Sequence, residues 1–258
     1  IAKIKKGENY LTPEIEVIAD DALPLDKKKE LEQFLKHWIE SYIKEVLGDL
    51  INLTKIKVEN QYLRALAYQL YENNGVLKRK NIDDIIKLIS KEERKKLWGM
   101  GIKIGRYHVF LPKMLKPKAV VLRTTLWKIY NNIVSNLGIP KFGLNFVINK
   151  NFNEKFLLLC GFEKFRDYFV RIDILEKLFI NIIDATVDRK FKISPVMMNL
   201  LGCTKENFFE LIKLMSYKKS KVSDTYYFYS DTKKNKDKVS NNKNKISPFS
   251  KLLALNIK

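Results

Sequence analysis

Apolar residues recur at spacings of three and four through the first part of the chain. Between Asp26 and Leu47 they include Leu31, Phe34 and Trp38. This period is typical of an amphipathic helix that buries one wide face. The sequence therefore predicts a long helix that begins near Asp26 and contributes its apolar side chains to a core.

Local capping signals predict three further helices. One covers roughly residues 59–72 and is followed by an Asn-Asn-Gly sequence, a frequent helix stop. Asn81 stands where an N-cap would begin a third helix. Ser90 and Glu93 have the capping-box spacing for a fourth helix, which reaches Trp98. Four helices with short connections favour an antiparallel helical bundle.

The stretch from Trp98 to Tyr130 is interrupted repeatedly by glycine and proline. Residues 102–110 alternate like a strand, with the isoleucines and the phenylalanine on the core face. Pro112 and Pro117 then interrupt regular structure, and a long helix follows. Between residues 91 and 118, nine Lys or Arg stand against two Glu. This basic segment is either a structural linker with a solvated edge or a strip that contacts nucleic acid.

The second half of the chain contains shorter apolar segments. FGLNFVI and FLLLCGF are compatible with strands or with buried coil, and YFVRID predicts a strand. Asp173 then caps a helix, with Glu176 at the capping-box position. We expect the apolar positions of this helix to face a core.

A helix-turn-helix pattern follows. Ser194 and Pro195 are typical of a helix start, Gly202 of a helix end, and Thr204 of the next N-cap. The sequence after the second helix, KKSKVSDTYYFYS, predicts a basic loop and a strand where a winged-helix domain has its wing. A simple pair of antiparallel helices is the alternative.

Charge changes the functional picture more than overall composition does. The 258 residues are 46% hydrophobic, an ordinary value, but the net charge is +20 and the pI is near 9.7. Such a charge attracts polyanions, either nucleic acids or anionic membranes. Because 41 of the 49 basic residues are lysines, which act as point charges, phosphate binding is favoured over the reading of bases.

Together these patterns predict a mainly α fold: a helical bundle, then a small α+β winged-helix-like unit and a disordered basic tail. The predicted boundaries are an extended segment over 1–24, the bundle over 25–137, the winged-helix-like unit over 138–230 and the tail over 231–258. The tail is assigned because it has many like charges and little to bury.

The sequence lacks the motifs that many enzymes need. It has no GxxxxGKS or GxxxxGKT phosphate loop, no HExxH, no GxSxG and no paired CxxC sequence. Cys160 and Cys203 lack metal spacing and are expected to be reduced, buried thiols. We expect no catalytic residue, metal ligand or cofactor in this chain. No apolar run is long enough to span a membrane, so a cytoplasmic protein is expected.

Several segments resemble one family, in the same order along the chain. IGRYHVFLPKMLKPKAVVLRTTLW resembles the segment after the motor of alphaproteobacterial DExH helicases, superfamily II proteins related to the mitochondrial degradosome RNA helicase. LTPEIEVIADD, ALAYQLYENNGVLKR, VRIDILEKL and MMNLLGCTKENFFELIKLMSY agree as well. The resemblance covers roughly residues 10–217, and GRYHVFLPKMLKP is its most specific part.

The resemblance implies a C-terminal accessory region of an ATP-dependent helicase. In such proteins two RecA-like domains lie upstream and use ATP and Mg, while the accessory domains help to form a channel for single-stranded RNA or DNA. Lysine stands here where family members more often have arginine. Because the chain begins at Ile1 without a methionine, a fragment or processed piece is expected. The alternative is a stand-alone winged-helix DNA-binding or scaffold protein without ATPase activity.

Two sets of residues are predicted to contact the nucleic acid. In the first set, on the central stretch, cations would contact phosphates, and Tyr107 and His108 would offer a stacking face. The second set lies on the helix-turn-helix and the wing. The first set is Lys103, Arg106, Tyr107, His108, Lys113, Lys116, Lys118 and Arg123. The second set is Lys205, Asn207, Lys213, Lys218 and Lys219.

Overall fold

The computed structural model describes residues 2–18, 24–56, 60–133, 137–149, 153–221 and 223–228. These residues form a mainly helical structure, as the sequence predicts, together with small antiparallel sheets. The predicted basic tail at 231–258 lies outside the described residues.

The N-terminal segment forms a hairpin against the first helix. Strands β1 (Ala2–Lys5) and β2 (Glu14–Val17) pair antiparallel, with Ala2 opposite Val17. Val17 and Leu11 are buried, and β2 contacts the long helix that follows. The hairpin therefore covers one side of the N-terminal core.

The long helix, α1 (Leu25–Asn52), buries only its second half. Its fully buried residues begin at Ile39, whereas Phe34 is 67% exposed and Trp38 is 55% exposed. The prediction that these two aromatic residues join the core is therefore wrong. The physical reason is the length of the helix. Its 28 residues extend about 42 Å, so its first turns project beyond the core that its second half covers.

The next three helices begin and end close to the predicted signals. They are α2 (Gln61–Glu72), α3 (Asp83–Leu88) and α4 (Lys91–Gly99). Both hydrogen bonds of the capping box between Ser90 and Glu93 are present, which confirms that prediction. Asn81 does not cap α3; it ends a short 3-10 helix that precedes it.

Residues 102–110 form a hairpin and not the single strand that alternation predicts. Strand β3 (Val76–Lys78) lies at one edge of a three-stranded sheet, β5 (His108–Phe110) in the centre and β4 (Lys103–Ile104) at the other edge. The chain turns between β4 and β5, so β5 pairs with both neighbours. Helix α5 (Pro117–Tyr130) then packs against α1. This part of the chain thus combines helices with a small antiparallel sheet.

The second half contains another three-stranded sheet. Strands β6 (Phe146–Ile148), β7 (Phe162–Phe165) and β8 (Tyr168–Arg171) are arranged in the order β6-β8-β7. FLLLCGF is neither strand nor coil throughout, because its first part belongs to α6 (Glu154–Leu159). Helix α7 (Ile172–Asp184) continues directly from β8.

The helix-turn-helix has the predicted local geometry. Helices α8 (Pro195–Leu201) and α9 (Lys205–Leu214) are N-capped by the side chains of Ser194 and Thr204. Gly202 joins them with a φ of +65°, a conformation that favours glycine. These local predictions are confirmed.

A hairpin follows α9, and a third short segment pairs with it. Strands β9 (Tyr217–Lys219) and β10 (Tyr226–Phe228) are antiparallel. Phe191, which precedes α8, exchanges two main-chain hydrogen bonds of 3.0 and 2.8 Å with Tyr226. Strand β10 therefore lies between β9 and Phe191.

Arg123 is buried in the middle of α5 and does not face solvent. Its guanidinium donates hydrogen bonds to the main-chain carbonyls of Asn74, Met114 and Leu159. Burial lowers its pKa to about 10, so the group stays charged at neutral pH. The prediction that Arg123 contacts phosphate is wrong, because its donors already join three segments inside the protein.

We expect Arg123→Met to lower the free energy of unfolding by roughly 3 kcal/mol or more, since three buried carbonyls lose a charged donor. Urea denaturation measures the change. Lys118→Ala, at an exposed position in the first turn of the same helix, is the matched control and should change stability by only about 0.5 kcal/mol. Normal stability of Arg123→Met would contradict the structural role.

Candidate nucleic-acid interface

The loop between β4 and β5 is fixed by one carboxylate from the second half of the chain. Glu176 of α7 accepts main-chain N–H groups from Arg106 at 2.6 Å, Tyr107 at 2.9 Å and His108 at 3.0 Å. A side chain at position 105 would overlap this carboxylate, so glycine is needed for the close approach. The main chain of the GRYH sequence therefore forms the binding site for the Glu176 carboxylate.

His108, which is only 1% exposed, lies between two carboxylates, those of Glu163 and Glu176. Its Nε2 lies 2.8 Å from Oε2 of Glu163, and its Nδ1 lies 3.7 Å from Oε1 of Glu176, an ionic distance and not a hydrogen bond. Lys78 donates to Glu163 at 2.8 Å. With His108 protonated, two cations thus face two largely buried carboxylates, the opposite charges that burial requires. Lys78 also donates to the exposed Glu154 at 3.0 Å.

The pKa values of the cluster shift in the directions that this pairing requires. Burial disfavours the charged form of His108, but the adjacent Glu163 and Glu176 outweigh it and raise the pKa of the imidazole. Burial likewise opposes ionisation of both carboxyls. Their contacts, with His108 first among them, outweigh it and lower the pKa of each carboxyl. The cluster therefore favours an imidazolium held between two carboxylates.

His108 and Tyr107 do not form the predicted stacking face. His108 is enclosed by the charged cluster, and the half-buried Tyr107 ring packs edge-on against Phe179, with 5.8 Å between the ring centres. Burial, followed by the neighbouring Tyr217, raises the pKa of Tyr107. Both side chains serve the contact between the halves, so neither is available to a base.

The remaining cations of the first set divide between two places. The side chains of Lys103 and Lys113 line one open groove of about 590 Å³. Lys116 and Lys118 follow Lys113 closely in the sequence and are exposed. Arg106 lies elsewhere, in a crevice of about 260 Å³ at the junction of the halves. The structure thus brings Lys103 and Lys113 together and separates Arg106 from them.

The second set lies on α9 and on β9, where acidic side chains accompany some of the lysines. Lys213 lies 3.9 Å from Glu210, which also faces Arg166, and Lys219 lies 2.5 Å from Asp224. Lys205 is exposed over the Phe209 ring, Lys218 is exposed on β9, and Asn207 is half-buried beside Tyr168. Acidic side chains therefore lie among these cations, and the surface of α9 is not positively charged throughout.

Sequence reasoning missed Glu163, Glu176 and Trp98. Glu176 was assigned to a capping box, but the N-cap of α7 is Arg171, and the carboxylate binds the loop instead. A signal existed: Glu176 lies on the apolar stripe that includes Leu175. Trp98 is 75% exposed and lines the 590 Å³ groove, a position that helix periodicity alone does not reveal.

Among the described residues, no helix combines the length and apolar character that crossing a bilayer requires. The same part of the chain holds no group of three His, Cys, Asp or Glu side chains that could hold a metal ion. Cys160 is buried and Cys203 half-buried, and both are free thiols.

Comparison with known proteins adds no relative: no family model, curated protein or solved structure matches the chain.

The charged cluster predicts a pH-dependent stability. Because the pKa of His108 is raised on folding, its contribution is complete below its ordinary value of 6.5 and is lost as the pH rises through the folded value. The pKa values of Glu163 and Glu176 are lowered, so their contributions are present above 4.5 and are lost as the pH falls through the folded values. The cluster should therefore stabilise most between these limits.

We expect His108→Gln to lower the free energy of unfolding by about 1–3 kcal/mol near pH 6, the size of a buried charged hydrogen bond. The difference from the wild-type protein should shrink as the pH rises toward 9. Urea denaturation at a series of pH values measures this change. His37→Gln, at an exposed position of α1, is the control. A difference that stays constant from pH 5 to 9 would contradict an imidazolium in the cluster.

Proposed function

We propose that this chain is a nucleic-acid-binding accessory region of an ATP-dependent helicase, and that it contacts the phosphates of single-stranded RNA or DNA. The observation that carries the proposal is the groove in which Lys103 and Lys113 meet, with Lys116 and Lys118 close by in sequence. The net charge of +20 supports a polyanionic partner. Lysines without fixed fork geometry suit phosphates better than base edges.

The helicase assignment depends on the resemblance of the GRYHVFLPKMLKP segment and its companions. In the proposed parent protein, upstream RecA-like domains bind ATP and Mg and drive strand separation in the cytoplasm. This chain contributes binding surface, and its buried charged cluster keeps that surface in a fixed position. The Glu176 contact supports this role, because it ties the loop beside β4, which carries Lys103, to the second half of the chain.

The second half supports a winged-helix-like unit. Helix α7 is followed by the Phe191 segment, helices α8 and α9, and the hairpin of β9 and β10. Helix, short strand, two helices and a two-stranded wing is the order expected of a winged helix, and here β10 lies between β9 and Phe191. Lys218 and Lys219 are on the wing strand β9.

The same observation favours the second candidate, a stand-alone winged-helix DNA-binding or scaffold protein without ATPase activity. A recognition helix in a DNA groove needs a surface that phosphates attract. On α9, however, Glu206 and Glu210 accompany Lys205 and Lys213. Two acids thus offset the two lysines of α9, whereas in the groove Asp49 offsets only Lys113, so α9 is the weaker of the two candidate contacts.

The experiment that tests the proposal is binding of the purified chain to single-stranded RNA, single-stranded DNA and duplex at several salt concentrations. Lysines that neutralise phosphates release counterions, so log affinity falls linearly with log salt. Replacing Lys103, Lys113 and Lys116 with Ala should reduce the size of that slope by about 2 for a single strand, at roughly 0.7 per lost contact. Fluorescence anisotropy measures each slope.

The matched variant replaces Lys205, Lys213 and Lys218 with Ala, which removes the same charge from the other half. We expect it to change the slope less. A larger effect of this variant, especially on duplex DNA, would favour the stand-alone winged-helix protein. Circular dichroism of both variants establishes that each is folded.

We also expect the isolated chain neither to bind nor to hydrolyse ATP, because its sequence has no phosphate loop. Equilibrium dialysis with labelled ATP and a phosphate-release assay in the presence of single-stranded RNA measure the two activities. Nucleic-acid-stimulated hydrolysis by the pure chain would contradict the assignment of ATP chemistry to upstream domains.

A further inference from the structure

Trp98 is held in an exposed position by a rigid helix end. After α4, the N–H of Ile102 bonds to the carbonyl of Leu97 at 3.0 Å and the N–H of Gly101 bonds to that of Trp98 at 2.9 Å. These two bonds, with Gly101 at a φ of +81°, form a Schellman motif. Leu97 is 1% exposed and anchors this helix end in the core. The Trp98 indole, 75% exposed, is therefore presented to solvent by a fixed backbone.

The groove beside Trp98 has walls of different chemistry. Leu53 and Ile56 supply apolar surface, while Asp49 and Asn52 of α1 supply polar groups. Lysine ammonium groups stand at Lys103 and at Lys113, whose Nζ lies 2.9 Å from Oδ2 of Asp49. An exposed indole, apolar contacts, hydrogen-bonding groups and cations thus share one cleft.

We propose that this groove binds one unstacked base of a single-stranded nucleic acid against Trp98, with the adjoining phosphates at Lys103 and Lys113. The inference rests on the proposed nucleic-acid function and adds a stacking subsite to it. The Asp49 carboxylate pairs with the Lys113 ammonium, and its remaining lone pairs accept hydrogen bonds from the N–H groups of a base edge. The volume of about 590 Å³ is within the range of small-ligand pockets.

The proposed subsite selects single strands over duplexes for a physical reason. Bases in a duplex are stacked on their neighbours, and only an unpaired strand can lay a base on an aromatic ring without breaking pairs. Lysine contacts to phosphate do not make this distinction. Trp98 therefore contributes strand selectivity, and Lys103 and Lys113 contribute the salt dependence.

The test compares Trp98→Ala with Trp38→Ala in the full chain. Trp38 is a suitable control because it is also exposed, at 55%, but lies on α1 stacked on Tyr42. We expect Trp98→Ala to weaken binding of a single-stranded adenine oligonucleotide roughly tenfold, the size of one lost base stack. Duplex affinity and the salt slope should stay unchanged. Trp38→Ala should bind as the wild-type protein does.

A second variant, Trp98→Phe, keeps an aromatic face and should retain most of the single-strand affinity. The same oligonucleotide should quench the tryptophan fluorescence of the wild-type protein and of Trp38→Phe, but much less that of Trp98→Phe. Equal losses of single-strand and duplex affinity in folded Trp98→Ala, or no loss, would overturn the stacking subsite while leaving the phosphate contacts intact. Absence of all nucleic-acid binding by the wild-type chain would instead overturn both proposals.

Discussion

Glu176 joins the two halves of the chain, because its carboxylate accepts hydrogen bonds from three consecutive main-chain N–H groups. Three donors of a tight loop meet one buried carboxylate, and each charge-assisted bond is stronger than a neutral one. His108, the last residue of that loop, then meets Glu163 from the second sheet. Removing either carboxylate would leave donors or an imidazolium buried without a partner, so neither half can relax independently.

Several local signals predicted helix caps correctly, although Asn81 does not cap α3 and Arg171, not Asp173, is the N-cap of α7. Roles that depend on distant partners were predicted wrongly. Ser90, Ser194 and Thr204 cap helices because the main-chain N–H groups that donate to their hydroxyl oxygens lie three residues away. His108 was expected to offer a stacking face, and Arg123 was expected to contact phosphate at the surface, where cations usually lie. Glu163 lies 55 residues from His108, and two of the three carbonyls that Arg123 binds, those of Asn74 and Leu159, lie 49 and 36 residues from it. Spacing along the chain carries no information about such contacts.

The sequence was equally limited in what it could predict about the candidate interface. Net charge predicted a polyanionic partner, but it could not show that Lys103 and Lys113 meet in one groove. Nor could it show which lysines pair with acids, as Lys113 does with Asp49 and Lys213 with Glu210. The sequence predicts that α4 reaches Trp98, but it does not show whether the indole is buried or exposed. Only the geometry after α4, where Gly101 turns the chain, explains why the indole points to solvent.

The separation of Arg106 and Glu176 by 70 residues has a consequence for synthesis on the ribosome. At 5–20 residues per second, roughly 4–14 s pass between the appearance of the loop and of its carboxylate. During that interval the three N–H groups can bond only to water or to transient partners. The loop between β4 and β5 is therefore synthesised before its carboxylate partner, and its hydrogen bonds to Glu176 form only after α7 has been made.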